Sequence, residues 1–128
     1  MIRHIFVYGT LRLGHGANAA MRSAQHKCVA TLSGARLYHL GGFPGLRFSD
    51  DSSDVVVGDL YEVLDDSIYP RLDQYEGYRE SQPETSLYLR QVTTVTTPEQ
   101  EQIQAYVYVY NHDGGRLIPS GDWNDQKV

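Results

Sequence analysis

The sequence predicts an α+β fold: a small mixed β-barrel or curved sheet with flanking helices. Two observations point there. The elements run strand, helix, several strands, helix, hairpin, which lacks the regular βαβ alternation of a doubly wound sheet. The last long strand is bulky on both faces, as a strand covered on both sides would be. The chain of 128 residues is one domain's worth, so residues 1–128 read as a single domain. Ten Tyr, three Phe and one Trp supply core material and argue against disorder.

The elements follow in order. Arg3 to Tyr8 is β-rich and ends at Gly9, a strand running into a glycine-containing loop, Gly9 to Gly16. Ala17 to Gln25 holds good helix formers and predicts a short helix. Lys27 to Leu40 reads as extended, with Gly34 as a bend. Gly41 to Gly45 is a predicted turn, Ser49 to Asp54 a polar loop and Val55 to Leu64 a strand. Asp65, Asp66 and Ser67 are cap candidates for a helix reaching about Tyr75, and Pro70 fits its first turn. Gly77 stands where a helix end favours a left-handed residue. Ser86 to Thr97 and Gln102 to Tyr110 predict a hairpin about Pro98 to Glu101. The tail from His112 reads as irregular.

Composition excludes several functions. The net charge is −5 and no Lys/Arg cluster exists, so no nucleic-acid footprint is present. The single cysteine, Cys28, rules out an internal disulfide and reads as a small core residue. No segment approaches the roughly 20 apolar residues of a membrane span, and no signal peptide is legible, so a cytoplasmic protein is expected. The histidines, at 4, 15, 26, 39 and 112, have no metal-ligand spacing. Asp50, Ser52 and Asp54 fail as a calcium loop, because Val55 and Tyr61 stand where Gly and a bidentate Glu are required. No metal or cofactor is expected.

Three features could carry chemistry. Residues four apart share a helix face, so Ile68, Leu72 and Glu76 align, with Leu64 one turn earlier. A carboxylate ending an apolar stripe becomes a general acid–base if the stripe faces the core, since desolvation raises its pKa; if the helix has already ended, Glu76 merely faces solvent. The loop Tyr8-Gly9-Thr10-Leu11-Arg12 leaves a strand and exposes backbone N–H groups suited to a carboxylate or oxyanion, or is an ordinary turn. It matches neither GxGxxG nor a P-loop. In the last strand Tyr106, Tyr108 and Tyr110 share one face, opposite Ile103, Ala105, Val107 and Val109. Such a row is more often packing than catalysis, although one hydroxyl near a cavity would orient a carboxylate.

Together the motifs resemble the γ-glutamylcyclotransferase-like family, including the γ-glutamylamine cyclotransferases. The matching pieces are Val7 to Arg12, Phe43 to Leu46, Val57 to Val63, Leu72 to Tyr78, Tyr88 to Val95 and Ala105 to Tyr108, with Gly121-Asp122-Trp123 in the tail. They span essentially the whole chain in order. The resemblance implies a compact mixed β-barrel with a substrate cavity beside the Tyr8–Leu11 loop. It implies a catalytic glutamate at Glu76 and a cavity tyrosine at Tyr106. Tyr8, Gly9, Thr10, Leu11 and Arg12 would bind a small γ-glutamyl substrate, cyclised to 5-oxoproline without a metal. Two alternatives remain at this point: a non-catalytic binding module on the same fold, and an enzyme that strips γ-glutamyl groups from a specialised metabolite. A pure protein-interaction role ranks behind both.

Overall fold

In the computed structural model, which describes residues 2–125, two sheets and one α-helix share the chain. Strands β1 (His4–Val7), β2 (Ala24–Ser33), β5 (Val55–Val63), β6 (Tyr88–Thr96) and β7 (Gln102–Tyr110) close a barrel in the order β1-β5-β2-β6-β7. Strands β3 (Ala35–His39), β4 (Pro44–Phe48) and β8 (Arg116–Ile118) form a second sheet, ordered β4-β3-β8. The barrel is mixed: β1 lies parallel to β7 with Ile5 opposite Tyr106, and the other ladders are antiparallel. Helix α1 (Ile68–Glu76) follows β5. Among the described residues no helix is long and apolar enough to cross a membrane.

Period-two alternation divides the core. Phe6 on β1 and Tyr8 just past its end join Leu60, Ala30, Leu32, Val95, Ala105 and Val107 in one buried cluster, which extends to Leu37, Leu46 and Trp123 around the small sheet. Ile5 and Val7 face the other way and pack with Met21, Tyr61, Ile68, Leu72, Tyr88 and Tyr108. The second cluster is the seam between barrel and α1. Strand β7 serves both: Ala105, Val107 and Val109 sit in the first cluster, while Tyr106, Tyr108 and Tyr110 belong to the second.

Four sequence expectations are corrected. The helix expected over Ala17 to Gln25 is a 3-10 helix over Gly16–Met21, and Ala24 already pairs with Val63 in β2, so the barrel has one flanking α-helix rather than two. The turn expected over Gly41 to Gly45 is shorter, because Pro44 opens β4 and pairs with His39. Leu64 does not continue the helical stripe; it follows β5 and is 66% exposed. The tail holds a strand, β8, paired with β3, and a buried Trp123.

Candidate active site

The site begins where β1 ends. After Val7 the chain turns, and the Arg12 N–H closes the turn on the Gly9 carbonyl at 2.9 Å. Gly9 has to be glycine for reasons of space: a Cβ there would stand 2.3 Å from Pro44 Cγ. This close approach brings β4 against the loop. Among the described residues, the N–H groups of Gly9, Thr10 and Leu11 donate to no protein acceptor. They are unclaimed donors at the edge of a cavity that these three residues line.

The opposite wall is the end of α1. Ile68 and Leu72 are fully buried in the seam, which fixes the rotation of the helix and turns position 76 inward. The helix stops in a Schellman turn: Tyr78 N–H reaches the Asp73 carbonyl at 2.8 Å, and Gly77 N–H reaches the Gln74 carbonyl at 3.3 Å. The turn requires the left-handed backbone that Gly77 adopts at φ 69°. Asp73, one turn before Glu76, accepts a hydrogen bond from the Tyr108 hydroxyl at 2.6 Å and lies 3.6 Å from Arg90 Nη1. A second tie crosses the cavity mouth, where Thr10 Oγ1 and the Tyr75 hydroxyl are 2.8 Å apart.

Glu76 lines the cavity, and among the described residues its carboxyl has no ion pair and no hydrogen bond. Desolvation by burial pushes its pKa up to about 7. Its place at the helix C-terminus disfavours the anion in the same sense, because backbone carbonyls point there. Three tyrosines surround it. Burial first, and the Glu76 charge second, hold the Tyr8 and Tyr88 hydroxyls well above their usual range. Tyr108 is also raised, by burial and by its bond to Asp73, with a smaller contribution from Glu76. All three protons are committed elsewhere: Tyr8 donates to the Tyr108 carbonyl at 2.7 Å, Tyr88 to the Pro44 carbonyl at 2.6 Å and Tyr108 to Asp73. The hydroxyls build the wall and leave the carboxyl without a partner.

The cavity measures about 300 Å³. The structure brings Tyr8, Gly9, Thr10, Leu11 and Glu76 to it. Two expected residues are elsewhere. The Arg12 side chain is buried outside the cavity, with Nε 3.3 Å from Asp59 Oδ2 and Nη1 2.8 Å from Asp122 Oδ1. Tyr106 is also absent from the lining; its ring meets Tyr69 edge-on at 5.3 Å, with the Arg90 guanidinium 5.1 Å from its centroid. Tyr108, two residues on, and Tyr88 take the wall position. Period-two spacing had put Tyr108 on the right face, but nothing in the sequence singled it out. Tyr88, Phe43, Pro44 and Leu87 lay in motifs or loops without a chemical signature.

Comparison with known proteins places the fold in a family. Residues 5–125 match the family model described as gamma-glutamyl cyclotransferase, AIG2-like. The gamma-glutamylcyclotransferase family protein YtfP of Escherichia coli K12 is 33% identical over 124 residues, which cover 95% of this chain and 96% of that protein. The gamma-L-glutamyl-butirosin B gamma-glutamyl cyclotransferase of Niallia circulans is 28% identical over 126 residues, covering 98% and 78%. An AIG2-like protein from Mus musculus, of known crystal structure, superposes with a TM-score of 0.71 at 27% identity, covering 88% of this chain and 80% of that one. The barrel, a relative 33% identical along nearly its whole length and a family match running nearly end to end agree: this chain belongs to the AIG2-like gamma-glutamyl cyclotransferase family.

Proposed function

We propose that the protein cyclises the γ-glutamyl group of a γ-glutamyl amine or peptide to 5-oxoproline, with release of the amine and with Glu76 as the general acid–base. The observation that carries this reading is the Glu76 carboxyl, pushed up to about 7, in a cavity also lined by Gly9, Thr10 and Leu11; among the described residues neither that carboxyl nor the three N–H groups have a protein partner. These two ends suit an amino-acid head. The carboxylate and the helix C-terminus favour an α-ammonium, while the loop donors favour an α-carboxylate or a developing oxyanion. A relative named for γ-L-glutamyl-butirosin B supports a γ-glutamyl conjugate as the substrate class.

The chemistry balances without a co-reactant. Glu76 accepts a proton from the α-ammonium, and the freed amine attacks the γ-carbonyl carbon. A new C–N bond closes the five-membered ring, and the old amide C–N bond breaks. Protonated Glu76 returns the proton to the departing nitrogen, and the second proton shed by the ring nitrogen as the lactam forms is taken up by the released amine. Because the nucleophile and the electrophile belong to one molecule, the protein mainly folds the substrate into a reactive conformation and stabilises charge. None of these steps draws on a metal. The test is 5-oxoproline release from γ-glutamyl amino acids and from γ-glutamyl-ε-lysine. Glu76→Gln is expected to lower kcat by a factor of at least about 100, within the range for loss of one acid–base group, with the fold retained. Turnover by Glu76→Gln equal to the parent's would remove the assignment. Stabilisation by substrate with no product from the parent would favour a binding module.

A further inference from the structure

The mouth of the cavity differs from its interior. Phe43, in the turn before β4, Tyr75 on α1 and Leu87 before β6 all line the cavity, yet they are 40%, 51% and 40% exposed. Large apolar side chains converging at an opening, from three separate elements, form a surface that remains wet until something covers it. Among the described lining residues Glu76 is the one charged side chain. The glutamyl head accounts for the charges present: its ammonium takes Glu76 and its carboxylate takes the loop amides. No charged side chain of the lining is then left to pair with a charge on the leaving group.

Position points the same way. The glutamyl head is held where Glu76 and the Gly9–Leu11 loop line the cavity, and a γ-glutamyl group is too small to fill about 300 Å³. The leaving amine takes the remaining space, toward the exposed lining residues Phe43, Tyr75 and Leu87. A carboxylate carried there would face the Glu76 anion. A cation would meet only the ring faces of Phe43 and Tyr75, a weak attraction at an exposed site, with no carboxylate of the lining left to pair it.

Resting on the cyclotransferase reading above, we propose that the substrate's leaving amine is an uncharged apolar one, of the arylalkyl or alkyl class, selected by Phe43 and Leu87. The step remains amide cleavage by ring closure, so the products are 5-oxoproline and a hydrophobic primary amine, and no co-reactant is needed.

The experiment compares kcat/KM for four γ-L-glutamyl amides, those of 2-phenylethylamine, methylamine, aspartate and 1,4-diaminobutane, with 5-oxoproline as readout. The phenylethylamide is expected to exceed each of the other three by at least tenfold. In the double variant Phe43→Ala/Leu87→Ala, the ratio of phenylethylamide to methylamide is expected to fall toward one. The ratio is read within one enzyme preparation, so partial loss of folded protein does not move it. Aspartate or diamine conjugates turned over as well as the phenylethylamide, or a ratio that survives the double substitution, would overturn the apolar leaving group while the cyclotransferase reading stands. Release of 5-oxoproline from γ-glutamyl-ε-lysine with none from the phenylethylamide would overturn the apolar leaving group alone, and an absence of 5-oxoproline from every conjugate, γ-glutamyl-ε-lysine included, would overturn both.

Discussion

A carboxyl that titrates near neutrality does so at a cost to the fold, and Glu76 shows the sign of that cost. Its unfolded value is 4.5 and its folded value about 7. Between these two the folded chain holds a proton that the unfolded chain has released, so stability falls as pH rises through the window. Above pH 7 the penalty is complete, roughly 3 kcal/mol for a shift of this size. Glu76→Gln removes it. The variant is expected to melt several degrees above the parent at pH 8 and to match it at pH 4.5, which thermal melts across pH will show. Equal melting temperatures at pH 8 would mean that the carboxyl is well solvated. Activity has the opposite dependence on the same proton. The anion is the base that accepts the ammonium proton, so kcat/KM is expected to fall as pH drops through about 7. The group that destabilises the fold above neutrality is thus the group that works there.

Element by element, α1 owes its aim to its end. The Schellman turn at Gly77 stops the helix directly after Glu76, and the Tyr108–Asp73 bond pins the preceding turn to β7. Gly77→Ala places a Cβ on a left-handed residue and 3.1 Å from Leu87 Cβ. A cost of about 1–2 kcal/mol follows from the backbone alone. Chemical denaturation should show this loss, together with a lower kcat, because Glu76 is displaced with the turn; an unchanged kcat in the folded variant would separate the helix end from catalysis. This element was legible in the sequence, since Ile68, Leu72 and Gly77 announce a helix face and its stop. The run from Ala17 to Gln25 was not. Alanine favours helix by only a few tenths of a kcal/mol per residue over ordinary residues, and the ladder that pairs Ala24 with Val63 outweighs it. Pro44 looked like a turn residue, but at the first position of a strand its missing N–H is tolerated. Strand β8 spans three residues, too few to show a period. The tyrosine row exposed a further limit. Tyr106 and Tyr108 share a face by alternation, and only the seat of α1 puts Tyr108 at the cavity and Tyr106 beside Arg90.

Across the whole molecule, the loop that supplies the amide donors is held from behind by distant parts of the chain. Asp59 on β5 is almost fully buried, and its Oδ2 accepts from Leu13 N–H at 2.9 Å and from Arg12 Nε at 3.3 Å. Its Oδ1 lies 3.3 Å from His26 Nε2. Arg12 continues to Asp122, whose segment is tied to β5 by the Val57 N–H bond to the Gly121 carbonyl at 2.8 Å. Arg12, expected to contact substrate, instead joins the loop to the middle and the end of the sequence. Replacement of a buried pair by apolar groups is often close to neutral, whereas removal of one partner costs about 3–5 kcal/mol because a charge is left behind. Arg12→Met is therefore expected to lower the melting temperature by about 10 °C or more, for a domain whose whole stability is about 5–15 kcal/mol. Arg12→Met/Asp59→Leu is expected to recover part of that loss, and it remains informative if the single variant fails to fold. Catalysis separates support of the loop from substrate contact. Well below its melting temperature the double variant should lose kcat as the loop amides shift, while its acid limb stays near pH 7, because Glu76 lies on the opposite wall. A double variant as unstable as Arg12→Met alone would mean that the ionic pair itself holds the loop, and an acid limb displaced from 7 would mean that Arg12 reaches the cavity after all.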